Sequence, residues 1–368
     1  MLNLSYVTDN RIVMTLDAGG TNFVFSAMSS GYEIVKPITL PAESHDLKMC
    51  LNNLVQGFEM VRKELNAPPV AISFAFPGPA DYPAGIIGAL PNLFAFREGG
   101  VALGPFLEDR FDIPVFINND GDLFAYGEAL TGALPQLNQR LAEAGSTRRY
   151  RNLFGVTLGT GFGAGVVLNG ELLMGDNAAG GDVWCMRNYR YPEYTIEESA
   201  SMRAVKRMYN EFSGEISDLT PKDIYDIAEG TRKGDQKAAL QTFNYLGEQT
   251  GETIATAITL IDGITVIGGG LAGASKYFMP ALMKQLNAQI GMFDGARFGR
   301  MQMKAYNLDD EAEFKQFVEG STREVKVYGT NKRVSYNAEK RVGVMLTKHG
   351  ASRSIALGAY VYALNHLT

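Results

Sequence analysis

The feature that most constrains the fold is a strand, glycine turn, strand pattern that occurs twice in the 368-residue chain. In the first copy, the apolar run 11–16 leads into Asp17-Ala18-Gly19-Gly20-Thr21-Asn22, and a second apolar run extends to residue 27. Paired glycines let backbone N–H groups approach an anion, and an aspartate at a strand end can help to hold a cation. Taken alone, such a turn is more often a plain hairpin connection.

The second copy occupies residues 152–170 around the turn Gly159-Thr160-Gly161-Phe162-Gly163. Two similar halves, each presenting one such turn to a shared cleft, could hold a polyphosphate from both sides. A third glycine turn, Gly268-Gly269-Gly270, follows an apolar strand and permits close approach of the adenosine end of a nucleotide. The repeat therefore favours phosphate and metal binding over two unrelated hairpins.

Composition indicates a globular protein with room for two domains. Hydrophobic residues make up 46% of the chain and charged residues 20%, and the net charge of −6 comes without a basic block. The sequence has no basic N-terminal start and no apolar run long enough to span a membrane. We therefore expect a soluble, cytoplasmic protein with neither a nucleic acid nor a membrane as partner. Cys50 and Cys185 lack metal-ligand spacing, and both are expected to be small buried hydrophobes.

Two strand ends between the glycine turns carry candidate site residues. The apolar strand 70–76 ends in Pro77-Gly78-Pro79, and the strand 113–117 ends in Asn118-Asn119-Asp120-Gly121-Asp122 before a helix. Ligands in open α/β sheets bind beyond the carboxyl ends of strands. The proline turn is equally well read as a plain loop. Asp120 or Asp122 also suits a helix N-cap, although one residue can cap and leave its neighbour free for chemistry.

Helical spacing predicts helices over 46–65 and 355–367, and an amphipathic helix that opens at 195–201. Glu197 and Glu198 lie in the first turn of that last helix, where the helix dipole favours acids. Residues 133–151 and 295–340 are interpreted as insertions, the second with a hairpin through 324–328.

The order of these motifs resembles that of the ROK sugar kinases. The motifs are Asp-x-Gly-Gly-Thr-Asn, Pro-Gly-Pro, Pro-Asn-Leu, Asn-Asp before a helix, Leu-Gly-Thr-Gly-Phe-Gly, Ile-Glu followed by Ala-Ser, and Gly-Gly-Gly. The resemblance covers most of the chain apart from the two insertions. It implies an α/β protein with the duplicated actin-like or hexokinase-type (ribonuclease H-like) fold, whose two domains flank a cleft. Residues 1–122 with the C-terminal helix 355–368 are expected to form one domain, and residues 123–354 the other.

The resemblance also implies ATP-dependent phosphorylation of a hydroxyl on a hexose or N-acylhexosamine, with Mg²⁺. Asp120 is then the catalytic base, and Asp17 helps to position Mg²⁺ near the phosphates. The remaining residues implied to bind ATP are Gly19, Gly20, Thr21, Asn22, Gly159, Thr160, Gly161, Gly163, Gly269 and Gly270. The residues implied to line the sugar pocket are Gly78, Asn92, Asn119, Asp120, Asp182 and Glu197.

One segment departs from the family pattern. Family members carry Glu-x-Gly-His and a Cys-x-Cys-Gly cluster that bind zinc, whereas this chain reads Asp182-Val183-Trp184-Cys185 and lacks the cluster. No zinc site is therefore expected, and the identity of the sugar stays open. Trp184 could stack on a sugar face, but a core position is the more common role for tryptophan.

Three functions remain in competition at this point. The leading one is a sugar kinase; the others are a non-catalytic sugar or nucleotide sensor and an ATPase of the same broad fold. Some family members carry an N-terminal DNA-reading domain; the first glycine hairpin is reached here by residue 17, so such a domain is not expected. A homodimer is expected.

Overall fold

The computed structural model of the protein describes residues 5–90 and 93–367. The chain divides into two compact units. Unit 1 holds the described residues up to Pro135, the segment Gly165–Gly181 and the C-terminal segment from His349. Unit 2 holds Gln136–Ala164 and Asp182–Lys348.

The elements alternate between strands and helices, as expected for an α/β protein. The strands are β1 Val13–Ala18, β2 Asn22–Ser29, β3 Tyr32–Glu33, β4 Ile38–Pro41, β5 Ala71–Ala75, β6 Ala80–Asp81, β7 Ile86–Ile87, β8 Val101–Ala102, β9 Val115–Asn118, β10 Leu153–Leu158, β11 Phe162–Leu168, β12 Glu171–Leu172, β13 Ile264–Gly268, β14 Gln289–Gly291, β15 Arg297–Gly299, β16 Lys304–Asn307, β17 Thr322–Lys326, β18 Arg333–Asn337 and β19 Arg341–Leu346. The helices are α1 Ser5–Thr8, α2 Leu47–Glu64, α3 Leu103–Phe111, α4 Asp120–Leu130, α5 Ala133–Glu143, α6 Met202–Ser213, α7 Pro221–Ala228, α8 Gln236–Ile261, α9 Ser275–Leu286, α10 Glu311–Glu319 and α11 Ala351–His366.

Unit 1 is built on a sheet with the strand order β3-β2-β1-β5-β9, and β4 pairs with β2. β1 and β2 form the first antiparallel hairpin, whose pairs run from Val13↔Met28 to Ala18↔Phe23. β5 is parallel to β1 on one side and to β9 on the other. The carboxyl ends of these three strands therefore lie at one edge of the sheet.

Unit 2 repeats this plan. β10 is parallel to β13, β13 to β19, and β19 to β16. β10 runs directly into the second glycine turn, just as β1 runs into the first. Each unit thus combines a glycine turn with a set of parallel strands.

Each unit also contains two helices that touch through their backbones at glycines. In unit 1, a Cβ on Gly127 of α4 would overlap the Ser354 carbonyl of α11, and one on Gly358 of α11 would overlap the Leu123 carbonyl. In unit 2, a Cβ on Gly247 of α8 would overlap the Phe278 carbonyl of α9. The repeated helix pair is further evidence of an internal duplication.

Aromatic side chains fill the core of unit 1. Phe23 and Phe25 of β2, Phe58 of α2, and Phe74 and Phe76 of the β5 region are all at most 1% exposed. Their rings meet edge to face or tilted at centroid distances of 5.1–6.3 Å. Burying each such ring stabilises the fold by about 1.5–3 kcal/mol. This packing fixes β2, α2 and the β5 region against one another.

The division of the chain differs from the sequence prediction. The boundaries fall at Pro135 and His349 rather than at 122 and 355, because all of α4 packs against α11 within unit 1. Gly165–Gly181 also belongs to unit 1, where Gly165 lies against the backbone of Gly121. The predicted helices 46–65 and 355–367 are confirmed as α2 and α11, and the hairpin near 324–328 as β17–β18.

Three local predictions are wrong. Glu197 and Glu198 do not open an α-helix: they lie in a separate 3₁₀ turn, Ile196–Ser199, and Ala200 and Ser201 separate this turn from α6, which begins at Met202. Cys185 is exposed, whereas Cys50 is buried as expected. Trp184 is 43% exposed rather than a core residue. Both Trp184 and Cys185 belong to a short 3₁₀ turn on the surface of unit 2.

Within residues 5–90 and 93–367, no helix has the length and apolar character needed to cross a bilayer.

Candidate active site

The candidate residues of unit 1 gather at the carboxyl ends of its three parallel strands. Asp17 lies at the end of β1, Gly78 follows β5, and Asn119 and Asp120 follow β9. The Phe76 N–H donates to the Asn118 carbonyl at 2.9 Å, which ties the ends of β5 and β9 together. The structure thus brings together residues that are far apart in the sequence, at the edge where α/β sheets bind ligands.

Asn119, not Asp120, is the N-cap of α4. Its side-chain Oδ1 accepts a hydrogen bond from the Gly121 N–H at 2.8 Å, as an N-cap does. Asp120 is the first residue of the helix, and its Oδ1 also accepts from Gly121 N–H at 2.8 Å. The capping role that the sequence left open therefore belongs to Asn119, and Asp120 keeps carboxylate oxygen for a ligand.

The surroundings of Asp120 raise the pKa of its carboxyl group. Its side chain reaches solvent, but protein atoms around its other sides desolvate the charged form, which is the largest effect. The Gly121 N–H opposes this shift, and the negative charge of Asp17 adds to it. The two carboxylates thus influence each other electrostatically within unit 1.

Tyr82 is a member of this site that sequence reasoning missed. Its hydroxyl donates to the Phe76 carbonyl at 3.0 Å, and the Asn119 Nδ2 donates to the same hydroxyl at 3.4 Å. A Cβ on Gly78 would lie 2.8 Å from this hydroxyl, so only glycine lets the turn approach it without displacing Tyr82. The Gly78–Pro79 peptide bond is cis. Tyr82 carries no sequence signal, because its role depends on a chain reversal through β6 and β7.

The predicted sugar residue Asn92 lies outside the described residues.

The first glycine turn is exposed along its length. Asp17, Gly19, Gly20, Thr21 and Asn22 are all open to solvent. The Thr21 carbonyl accepts from the Ala42 N–H at 2.9 Å, so the segment after β4 holds the turn through its backbone. A Cβ on Gly20 would meet nothing within 4 Å. The turn therefore presents open space next to its backbone and next to the Asp17 carboxylate.

The second glycine turn is half-buried and is held by a carboxylate. The Phe162 N–H donates to Glu197 Oε2 at 2.9 Å, and Arg203 forms an ion pair with Glu197 Oε1 at 2.6 Å. The Met202 N–H donates to the Gly159 carbonyl at 2.9 Å. A Cβ on Gly161 would lie 2.6 Å from Glu197 Oε2.

Arg203 is the second residue that sequence reasoning missed. It is the second residue of α6, and its Nε also donates to Glu198 at 2.7 Å. Its partners, Glu197 and Glu198, belong to the preceding 3₁₀ turn. The sequence pattern placed these residues in the first turn of one continuous helix and so did not predict the ion pairs with Arg203.

The third glycine turn lies beside the second. β10 and β13 are parallel neighbours through Thr157↔Gly268, so Gly159 and Gly269 follow adjacent strand ends. Gly269 has φ +89°, and a Cβ there would overlap the Leu158 carbonyl. A Cβ on Gly270 would lie 2.8 Å from the Met202 Cε, so Gly270 packs closely against Met202. Unit 2 therefore places two of the predicted nucleotide-binding turns, including Thr160 and Gly163, side by side.

The segment that departs from the family pattern forms a surface turn. Desolvation raises the pKa of Asp182, and a hydrogen bond from the Trp184 side chain opposes the shift. The Cys185 thiol donates to the Asp182 carbonyl at 2.9 Å. No group of three or more His, Cys, Asp or Glu side chains suited to hold a metal ion occurs in the described part of the chain.

The model of the ROK family matches residues 13–310. The chain belongs to the ROK family. Its fold is similar to that of a glucokinase from Parabacteroides distasonis, with 64% identity, a TM-score of 0.90, and 98% of this chain and 99% of that chain covered. A ROK family glucokinase from Streptomyces griseus, solved in complex with glucose and AMPPNP, shares the fold at 15% identity and a TM-score of 0.62, with 95% and 98% of the two chains covered.

A curated relative of a different kind is the DNA-binding transcriptional dual regulator NagC of Escherichia coli. It is 27% identical over 257 residues, which is 67% of this chain. The chain spans 58% of the length of that relative. Together these matches confirm the predicted family and the duplicated actin-like, hexokinase-type α/β fold.

Proposed function

We propose that this protein is a sugar kinase that transfers the γ-phosphoryl group of ATP to a hydroxyl of a hexose or an N-acylhexosamine. The glucokinase from Parabacteroides distasonis, similar over nearly the whole chain, supports this activity. The AMPPNP and glucose named with the Streptomyces griseus enzyme support ATP and a hexose as the substrate pair.

The position of Asp120 is the observation that carries the proposal. A carboxylate with a raised pKa stands at the carboxyl end of β9, in the same unit as the exposed glycine turn and Asp17. A general base works best when its pKa approaches the working pH, and phosphoryl transfer needs a carboxylate that accepts the proton of the attacking hydroxyl. Asp120 is assigned this role.

The glycine turns are assigned to ATP. Gly19, Gly20, Thr21 and Asn22 form the phosphate turn of unit 1, and Gly159, Thr160, Gly161 and Gly163 form that of unit 2, where backbone N–H groups bind phosphate oxygens. The Gly159 N–H is the exception, because it already donates to the Gly161 carbonyl at 3.0 Å. Gly269 and Gly270 pack against the nucleoside. Asp17 suits Mg²⁺, because its carboxylate is exposed beside the turn and carboxylate oxygen is a ligand that Mg²⁺ prefers. A Mg²⁺ ion held by Asp17 would neutralise charge on the phosphate oxygens.

The sugar contacts are assigned to the residues that the family resemblance implies. Asn119, oriented by Tyr82 and by the start of α4, binds a sugar hydroxyl next to Asp120. Gly78, Asn92, Asp182 and Glu197 complete the predicted sugar contacts. Glu197 has an additional role, since its carboxylate accepts from Phe162 N–H and pairs with Arg203, and so fixes the second turn.

A non-catalytic sugar sensor is the alternative function. It is favoured by Asp182, Trp184 and Cys185 in place of the family histidine segment, and by the similarity to a transcriptional regulator. A sensor keeps sugar binding without any phosphoryl transfer.

The test is a panel of glucose, mannose, N-acetylglucosamine and N-acetylmannosamine, each assayed with Mg²⁺ and ATP for ADP release and for phosphorylated sugar. A sugar kinase should release ADP and form phosphorylated sugar only when one class of sugar is present. Calorimetric sugar binding without turnover would identify a sensor. ADP release at the same rate with and without every sugar would identify an ATPase.

A further inference from the structure

Asn188 is a fully buried polar residue in the loop 186–196 of unit 2. Its side-chain Oδ1 accepts hydrogen bonds from the Arg190 N–H at 3.1 Å and from the Tyr191 N–H at 3.0 Å, near the start of the loop. Its Nδ2 donates to the Thr195 carbonyl at 3.2 Å, near the end of the loop. One buried side chain thus ties the two ends of the loop together.

The same amide also reaches the 3₁₀ turn Ile196–Ser199. Asn188 Nδ2 donates to Ser199 Oγ at 2.6 Å, and the Ser199 hydroxyl lies 2.6 Å from the hydroxyl of Tyr245 on α8. Ser199 and Tyr245 are both buried, so water does not compete for these hydrogen bonds. The Asn188 amide has its two donors and its two acceptor sites satisfied within the protein. A buried network that is satisfied in this way holds the turn in one arrangement.

This 3₁₀ turn carries the carboxylate that supports the second glycine turn. Glu197 Oε2 accepts a hydrogen bond from the Phe162 N–H at 2.9 Å. Immediately before Glu197, the Ile196 N–H donates to the Met186 carbonyl at 2.8 Å, so the backbone there is fixed to the loop that Asn188 closes. Hydrogen bonds and one short stretch of chain therefore connect Asn188 to the second glycine turn, all within unit 2.

We propose that Asn188 is a positioning residue for ATP: through the 3₁₀ turn Ile196–Ser199 it holds Glu197 where that carboxylate keeps the second glycine turn in shape to bind phosphate. The ligand in this inference rests on the proposed function, which assigns the second glycine turn to ATP. A carboxylate orients a backbone N–H only when the carboxylate is itself held in place. Hydrogen bonds behind the contacting groups commonly set the precision of a binding site.

The ion pair of Glu197 with Arg203 does not replace this buried network. The Arg203 side chain is 48% exposed, and an exposed ion pair adds little stability and is screened by salt. The hydrogen bonds of Asn188 are buried and join uncharged groups, so salt does not weaken them in this way. Holding the backbone around Glu197 therefore depends on Asn188 and Ser199.

The first test is hydrogen exchange of the full chain, measured by mass spectrometry on Asn188→Ala and Ser199→Ala. Ser199→Ala removes one acceptor of Asn188 Nδ2 but leaves the Oδ1 hydrogen bonds that close the loop. Both variants should exchange about tenfold faster over 158–164, which includes the Phe162 N–H. Only Asn188→Ala should also exchange faster over 186–196. Unchanged exchange over 158–164 in Ser199→Ala would overturn the proposal.

The second test is the affinity for ATP, measured by calorimetry, together with steady-state kinetics. Ser199→Ala should raise the Kd and the KM for ATP about tenfold and leave kcat nearly unchanged, because the network shapes a binding turn and does not touch Asp120. A loss confined to kcat would contradict a positioning role in ATP binding.

Asn210→Ala is the matched control. The Asn210 side chain also ties a loop of unit 2, because its Nδ2 donates to the Ser217 carbonyl at 3.0 Å and its Oδ1 accepts from the Ser217 N–H at 3.1 Å. This variant should leave the exchange over 158–164 and the Kd for ATP unchanged, even where it lowers Tm. Equal changes in Asn210→Ala and Ser199→Ala would show a general loss of stability and overturn the proposal.

The exchange measurement separates this inference from the proposed function, because it needs neither ATP nor turnover. An unaltered protein that binds no ATP would contradict the proposed function. Slow exchange over 158–164 in Ser199→Ala would contradict the role of Asn188 whether or not the protein is a kinase.

Discussion

The two glycine turns share a backbone pattern but are built to different degrees of rigidity. The first, Asp17–Asn22, is exposed, and the Ala42 N–H supports it through a backbone hydrogen bond. The second, Gly159–Gly163, is half-buried and is held by Glu197, which Arg203 in turn fixes. The open turn carries its own carboxylate, Asp17, whereas the second receives one from a distant 3₁₀ turn.

This difference indicates that the two glycine turns of the duplicated fold have different roles. In the first turn the carboxylate faces solvent and is available to a cation. In the second, the carboxylate is already bound to a backbone N–H and an arginine, so it acts on the shape of the turn. A carboxylate near a glycine turn therefore does not by itself indicate a metal ligand.

The largest expected effect on this comparison comes from Asp17→Asn. If Asp17 positions Mg²⁺, the variant should lose about a hundredfold in kcat, the scale of losing one electrostatic contact at a transferring phosphoryl group. The apparent KM for Mg²⁺ should rise in the same steady-state measurement. Asp109→Asn, at an exposed aspartate of α3, is the control and should behave as the unaltered protein does. A normal kcat and a normal Mg²⁺ dependence in Asp17→Asn would contradict the view that the carboxylate of the first turn binds a cation whereas that of the second turn fixes the backbone.

A matched pair of glycine substitutions should give a smaller effect. In Gly161→Ala the new Cβ meets Glu197 Oε2 at 2.6 Å, so either the turn or the Glu197 carboxylate, which Phe162 N–H and Arg203 hold, must shift, with a loss of about 1–3 kcal/mol in the free energy of unfolding. In Gly20→Ala the Cβ meets nothing within 4 Å, so the free energy of unfolding should change by less than about 0.5 kcal/mol.

The affinity for ATP separates the two substitutions further. Gly20→Ala should weaken ATP binding without changing Tm, because the methyl group occupies space assigned to phosphate. Gly161→Ala should lower both the affinity for ATP and the Tm. Calorimetry and thermal melts measure the two quantities, and equal Tm losses in both variants would contradict the contrast between an open and a held turn.

The smallest expected effect is a shift in pH dependence. As a base, Asp120 must be ionised, so kcat/KM should fall as the pH drops through its raised pKa, above the value of about 3.9 for a free aspartate. Asp17→Asn removes a negative charge that raises the pKa of Asp120, so the acid limb of the profile should move to lower pH. An acid limb that stays in place would show that the two carboxylates do not interact.

The sequence predicted the family and fold because these depend on motif order and strand periodicity. It also predicted that Asp17, Gly78 and Asp120 follow strands, and parallel pairing then brought those strand ends together. The roles assigned to these residues stay predictions.

What the sequence could not show depends on tertiary contacts. Tyr82 reaches Asn119 only through a chain reversal, and Arg203 finds Glu197 only because the helix begins later than its periodicity indicates. The exposure of Trp184 and Cys185 was missed for a similar reason: residue type predicts average burial, whereas a short surface turn overrides it.

The central claim, that Asp120 is the base of a sugar kinase, is tested most directly by the turnover of Asp120→Asn with the best sugar of the panel. We predict a loss of at least about a thousandfold in kcat, with sugar binding retained and normal kcat in Asp109→Asn.

Folding provides the internal check on that measurement. Because the folded pKa of Asp120 is raised, its protonated form stabilises the fold at low pH, and this contribution is lost as the pH rises through the folded pKa. Asp120→Asn should therefore melt no lower than the unaltered protein at pH 7. A thousandfold loss in a well-folded, sugar-binding variant is the predicted result, and turnover close to that of the unaltered protein would contradict the account.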